Sequence, residues 1–271
     1  MDSNVATSAS PNRSPVEPHT RFTPVIEVLH RTADLLAIYK PSGISLLADR
    51  SGAACLWDTL REQLAQEGQE PYSVHRIDKG TSGVLLVALT RERQAQLTLA
   101  FQRREVRKFY VARVLGDLHI DARSGTIDLP LAKGRKSRYR VAGPRERIAR
   151  HGTRWQLTGR TAAGHESVTR LRRIGGDGRH TLLALQPLTG RTHQLRVHLA
   201  WIGHPIAGDR LYGKPDAVEQ QWPRLALHCH RMIVDGVAIT APLPPEFTSA
   251  AARHPTARRG KSGGSKRRMP G

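Results

Sequence analysis

The segment His75-Arg76-Ile77-Asp78-Lys79-Gly80-Thr81-Ser82-Gly83 gathers one carboxylate, three nitrogen bases and two glycines into nine residues, just ahead of the apolar run VLLVAL at 84–89. Arg76 and Asp78 stand two apart and project to the same side of an extended segment. A carboxylate so placed serves as a nucleophile or a general base. An arginine beside it binds phosphate or fills the gap left by an everted base, and the glycines let a nucleic-acid backbone approach closely. The plain alternative is a turn, with the aspartate capping backbone N–H groups and the glycines taking positive φ.

A second cluster, LTGRTHQLRVHL at 188–199 followed by GHPIAGD at 203–209, carries Arg191, His193, Gln194, Arg196 and His198. The pattern predicts a helix over 191–202, with Leu195, Leu199 and Ile202 on one face. Its basic residues then form either a solvated face or, where a strand gives way to a helix N-terminus, a place that favours anions. A third signal is Arg107-Lys108-Phe109-Tyr110. An aromatic beside basic residues stacks on a base while the charges hold phosphate; the alternative is a half-buried strand tyrosine. The histidines lack a carboxylate or cysteine partner at a familiar ligand spacing, so no metal site is expected.

These side chains sit in a strongly basic chain. The 43 Lys and Arg against 23 Asp and Glu give a formal net charge of +20, which favours a polyanionic partner such as nucleic acid. Residues 1–20 carry one net negative charge and the segment from Ala250 seven positive ones, so +14 belongs to residues 21–249. The excess therefore lies mainly in the body of the protein. Two cysteines, Cys55 and Cys229, are too few for a disulfide framework and fit a reducing compartment. No apolar run suits a membrane span or an export signal, so a cytoplasmic location is expected.

The elements that must position the site follow from periodicity. Short apolar runs at 25–29, 35–39, 84–89, 109–115 and 181–186 read as strands, and 55–67 and 91–104 read as helices, the first with Leu56, Leu60 and Leu64 on one face. Consecutive strand signals across 105–188 point to an α+β fold on a mixed, largely antiparallel sheet with flanking helices, not to a doubly wound parallel one. Residues 1–20 are expected to be a disordered leader, 21–249 the catalytic body and 250–271 a disordered basic tail. Neither a dinucleotide fingerprint nor a P-loop is present, so no cofactor is expected.

Read together and in order, LAIYKPSG at 36–43, HRIDKGTSG at 75–83, KFYVARVLG at 108–116, TGRTHQLRVHLAWIGHPIAGDRLYG at 189–213 and APLPPEF at 241–247 resemble the RluA family of RNA pseudouridine synthases. The resemblance implies a pseudouridine synthase-like fold and isomerisation of chosen uridines in ribosomal RNA of the 23S type, in transfer RNA, or in both. By the resemblance Asp78 is the essential carboxylate, Tyr110 the active-site aromatic, Arg196 the basic partner of the aspartate, and Arg76 the residue that helps hold the target out of the stack. His75, Thr81, Lys108, Arg191 and His193 are expected to contact RNA. Ile77 and Lys79-Gly80 depart from the usual motif but leave its chemical groups intact. No S4-type RNA-binding domain is expected ahead of the body, so substrate choice would rest on the catalytic domain, assisted by the tail. A monomer without an obligate protein partner is expected. The rival readings are a noncatalytic RNA-binding or assembly factor on the same fold, and a glycoside-cleaving hydrolase, which would need a second carboxylate.

Overall fold

The computed structural model describes residues 26–48, 55–120, 124–135, 138–159, 164–213 and 222–248. The expected leader and basic tail lie outside the described residues. The strands are β1 (Val28–Arg31), β2 (Leu35–Lys40), β3 (Tyr72–Ser73), β4 (Ser82–Ala88), β5 (Arg107–Leu115), β6 (Ser124–Asp128), β7 (Leu131–Lys133), β8 (Tyr139–Val141), β9 (Ile148–His151), β10 (Arg154–Leu157), β11 (Val168–Gly176), β12 (His180–Pro187), β13 (Leu227–Val234) and β14 (Val237–Thr240). The helices are α1 (Leu56–Ala65), α2 (Arg91–Gln102), α3 (Gln194–Trp201) and the short α4 (Pro245–Thr248). Twelve strands form one sheet in the order β1-β2-β4-β13-β5-β12-β11-β6-β10-β9, with β14 on β13 and β3 on β4; β7 and β8 pair separately. Only β4 with β13 and β6 with β10 run parallel. The architecture is α+β on a mixed, mostly antiparallel sheet.

Burial explains the sequence patterns. β4 is covered on both faces, which is why it reads as a continuous apolar run. Leu85 and Val87 meet α1 through its Leu56, Leu60 and Leu64 face, whereas Val84, Leu86 and Ala88 meet Leu97 of α2. A Thr90 hydroxyl caps α2 by accepting from the Arg93 N–H at 3.1 Å. The largest cluster joins β5, β12 and β11 to Leu195, Val197 and Leu199 of α3.

Most boundaries shift by one or two residues from expectation, with α1 and α2 each ending two residues early, and the starts of β1 and α3 differ by three. The first strand lies at Val28–Arg31, because Ile26 is buried in the cluster under α1 before the strand begins. The third helix starts at Gln194 and not at 191, because His193 takes a left-handed conformation (φ 56°) that ends the incoming chain and turns its side chain out of the helical register.

Candidate active site

Asp78 sits on the loop between β3 and β4, and two sets of contacts fix that loop. The Thr81 N–H donates to the Asp78 main-chain carbonyl at 2.9 Å. The amide that an aspartate cap would have satisfied is thus bonded elsewhere, and the carboxylate is left to face the site. Beneath the loop lies the turn after β2. Lys40, fully buried, donates from Nζ to the carbonyls of Pro41 (2.8 Å), Lys79 (3.2 Å) and Thr81 (2.8 Å). Ser42 Oγ donates to the Gly80 carbonyl at 2.6 Å, and the Gly43 N–H to the Lys79 carbonyl at 2.8 Å. Burial first lowers the Lys40 pKa, Asp78 opposes this, and Arg224 adds to the lowering, for a value of about 8.

The glycines of the loop serve packing. Gly83 has φ +116°, and a Cβ there would stand 2.1 Å from the Cys229 carbonyl oxygen, so only glycine lets β4 meet β13 directly after the loop. A Cβ at Gly80 would press on Leu225 at 3.1 Å.

Across from Asp78, the first turns of α3 present Arg196. Its NH1 donates to Asp78 Oδ2 at 3.2 Å, while Nε and NH2 grip both oxygens of Asp209 at 2.8 and 2.7 Å. Asp209 is almost wholly buried and also accepts from the N–H groups of Leu211 and Tyr212 through Oδ1. The guanidinium lies 5.1 Å from the Tyr212 ring centroid. Burial works against the charge on Arg196, but the hydrogen bonds and charge of Asp209, then those of Asp78, outweigh it and hold the pKa above its ordinary value. The cation is therefore permanent, aimed and shared between two carboxylates.

His193 Nε2 stands 3.8 Å from Asp78 Oδ2, and its Nδ1 meets the Tyr212 hydroxyl at 2.8 Å. Burial lowers its pKa first; Asp78 raises it and Arg196 lowers it, with a net shift downward. Tyr110, on β5, lines the same cavity of about 130 Å³ with Arg76, Asp78, Lys108 and Arg196. Burial, then the Cys229 thiol on the neighbouring strand, raise the phenol well above its ordinary 10.0. Its hydroxyl is protonated at neutral pH. It can accept a proton only by giving up its own in the same step.

The other expected RNA contacts divide. Arg76 and Arg191 are exposed, Arg76 at the cavity rim and Arg191 with Nε donating to the Glu166 carbonyl at 3.2 Å. Thr81 lines the cavity but is buried and belongs to the loop's support. His75 supports β4: Nε2 accepts the Leu86 N–H at 2.9 Å and the ring packs on Phe101. Burial, then Lys108, push its pKa down to about 3, so the ring is a neutral brace for that strand. The basic helix face is a correction. Gln194 and His198 are buried, His198 holding Thr169 Oγ and the Leu129 carbonyl at 2.9 Å each. Asp209, Tyr212 and Lys40 were not singled out by residue type and spacing, although all three stand within the recognised motif blocks. Among the described residues no group of three or more His, Cys, Asp or Glu side chains is arranged to hold a metal ion, and no helix is long and apolar enough to cross a membrane.

A family model described as RNA pseudouridylate synthase matches residues 34–201. The dual-specificity RNA pseudouridine synthase RluA of Salmonella typhimurium is 33% identical over 228 residues, covering 83% of this chain and 95% of that protein. The RluA of Yersinia pestis is 34% identical over 208 residues, covering 76% and 91%. The chain belongs to the RluA family of RNA pseudouridine synthases. The fold of this RluA-family synthase agrees: human RNA pseudouridylate synthase domain containing 1 superposes with a TM-score of 0.66 at 26% identity, covering 86% of this chain and 89% of that one. The synthase is an isomerase, and the matched segment contains Asp78, Tyr110 and Arg196.

Proposed function

We propose that this synthase isomerises everted uridines in structured ribosomal or transfer RNA, with Asp78 as the reacting carboxylate. The observation that carries this reading is the unequal setting of the two carboxylates at Arg196. Asp209 spends both oxygens on the guanidinium and on backbone N–H groups. Asp78 takes a single bond from the same guanidinium and faces the cavity. Of these two carboxylates one is free to react, and among the described residues the two-carboxylate hydrolysis of a glycosidic bond finds no second partner in the cavity lining.

The reaction breaks the N1–C1′ bond, turns the uracil and joins C5 to C1′; the C5 proton is lost and N1 gains one. No electrons are exchanged. Ionised Asp78 can add to C6, attack C1′ or take a ribose proton, and each route begins with the carboxylate that Arg196 orients. A base stacked in a helix hides these atoms, so the target must be everted. Arg76 at the rim is suited to the vacated stack, and the Tyr110 ring to the face of the uracil. His193 stands near Asp78, placed to meet the uracil or its ribose.

The test is incubation with total ribosomal and transfer RNA followed by pseudouridine mapping and measurement of released uracil. Site-specific pseudouridine without free uracil is expected. Free uracil would favour the hydrolase, and binding without either product would favour a noncatalytic RNA-binding factor.

A further inference from the structure

Two cavities meet at Lys108. One is the Asp78 pocket; the other, about 300 Å³, opens beside it with Phe101, Arg104, Arg107 and Leu188 in its walls, and Lys108 and Gly190 belong to both. The ridge between them is low because Gly190 lacks a side chain, and a Cβ there would stand 3.3 Å from Lys108 Nζ. The Lys108 ammonium lies 5.7 Å from the Phe101 ring centroid. Among the described residues no carboxylate or carbonyl accepts a hydrogen bond from it. Burial lowers its pKa, opposed by the Cys229 thiol. Arg107 is exposed, and Arg104 is held by Glu166 at 2.8 Å.

Lys108 is half-buried with its ammonium opening into both cavities and, among the described residues, no protein acceptor bound to it, so an anion placed there would gain a charge-assisted hydrogen bond. The ammonium stands at the passage between a pocket sized for one base and a larger cavity with an aromatic and two arginines. The strand that delivers a uridine to the first cavity carries one phosphate between that uridine and its neighbour. We propose that the second cavity receives the nucleotide adjacent to the target uridine, and that Lys108 binds the phosphate joining the two. The subsite rests on reading the Asp78 pocket as the uridine site. It makes the flanking nucleotide part of substrate choice, through a pocket that the reacting groups do not themselves form.

The test uses an RNA hairpin built on a uridine modified in the mapping experiment, with an uncharged methylphosphonate linkage on the 5′ or the 3′ side of the target. Wild-type kcat/KM should fall about tenfold or more for one of the two linkages. Lys108→Met should show a similar loss on native RNA and no further loss on that modified RNA, because both changes remove the same contact. An abasic neighbour on the same side should cost wild type about tenfold. Losses that multiply, no effect of either linkage, or an abasic neighbour without cost would overturn the subsite. Absence of pseudouridine with every wild-type reaction would instead strike at the reading of the Asp78 pocket. Thermal unfolding checks Lys108→Met, and if it does not fold, the two RNA modifications on wild-type protein still decide.

Discussion

At Arg196 the guanidinium is divided: two of its nitrogens are committed to Asp209 and the third is left for Asp78. Asp209 is thus a positioning residue, since it aims the cation without facing the cavity. Replacing it by Asn keeps the shape, removes the charge and puts an amide donor against a guanidinium donor. Asp209→Asn is expected to lower kcat about tenfold or more while changing KM for RNA much less, and to cost about 3 kcal/mol of stability. Single-turnover kinetics and urea unfolding check both. Loss of stability with kcat unchanged would make the pair purely structural. Asp78, Tyr110 and Arg196 stood out because their motifs announce chemistry. Asp209 did not, because its partner lies thirteen positions away across a turn, and Asp in Gly-Asp-Arg looks like any surface turn residue until its burial is known.

At the scale of elements, the site is a loop held from beneath and a helix held from behind. Lys40 ends a strand that is otherwise buried and apolar, and its ammonium satisfies three carbonyls, two of them in the Asp78 loop. Lys40→Met would keep the bulk and remove the side-chain donor from all three carbonyls, of which that of Lys79 retains the Gly43 N–H. It is expected to cost about 2–5 kcal/mol and to lower kcat along with stability. Urea unfolding and single-turnover rates at a temperature where the variant remains folded provide the check, and a fully active, equally stable variant would remove the support role. The elements readable in the sequence were those with long apolar repeats: β2, β4, β5, β12, α1 and α2. β13 (LHCHRMIV) escaped because its start is buried on both faces yet carries a polar residue, with adjacent His228 and Cys229 both buried, so neither alternation nor a continuous apolar run marks it. β6, β9 and β10 are short and gain their pairing from the wider sheet, and the three-residue β7 and β8 pair with each other apart from it. The start of α3 was misplaced because a left-handed His193 leaves no mark in residue type.

For the molecule as a whole, the buried histidines set an acid limit. Burial pushes His75 to about 3, and His198 and His228 to about 4, from an ordinary 6.5. In the window from 6.5 down to those values the unfolded chain binds protons that the folded chain refuses, so stability rises with pH and falls on acidification. Each group is expected to withdraw about 2 kcal/mol by pH 5. Urea unfolding at intervals from pH 7.5 to 5 should show falling stability, with the fall reduced in His198→Gln relative to wild type. A flat profile would mean that these rings protonate without unfolding the protein.

Asp78 is proposed as the reacting group and not as a turn former. The direct measurement is pseudouridine yield in single-turnover reactions of Asp78→Asn and Asp78→Ala on an RNA that wild type modifies, alongside RNA binding and thermal unfolding of each. Both variants should be inactive, fold with nearly wild-type stability and retain RNA affinity, because the loop is held by Lys40, Ser42 and Gly43 through main-chain groups and not by the carboxylate. Near wild-type yield from the Asn variant would contradict the assignment, and loss of yield through unfolding would return Asp78 to a structural role.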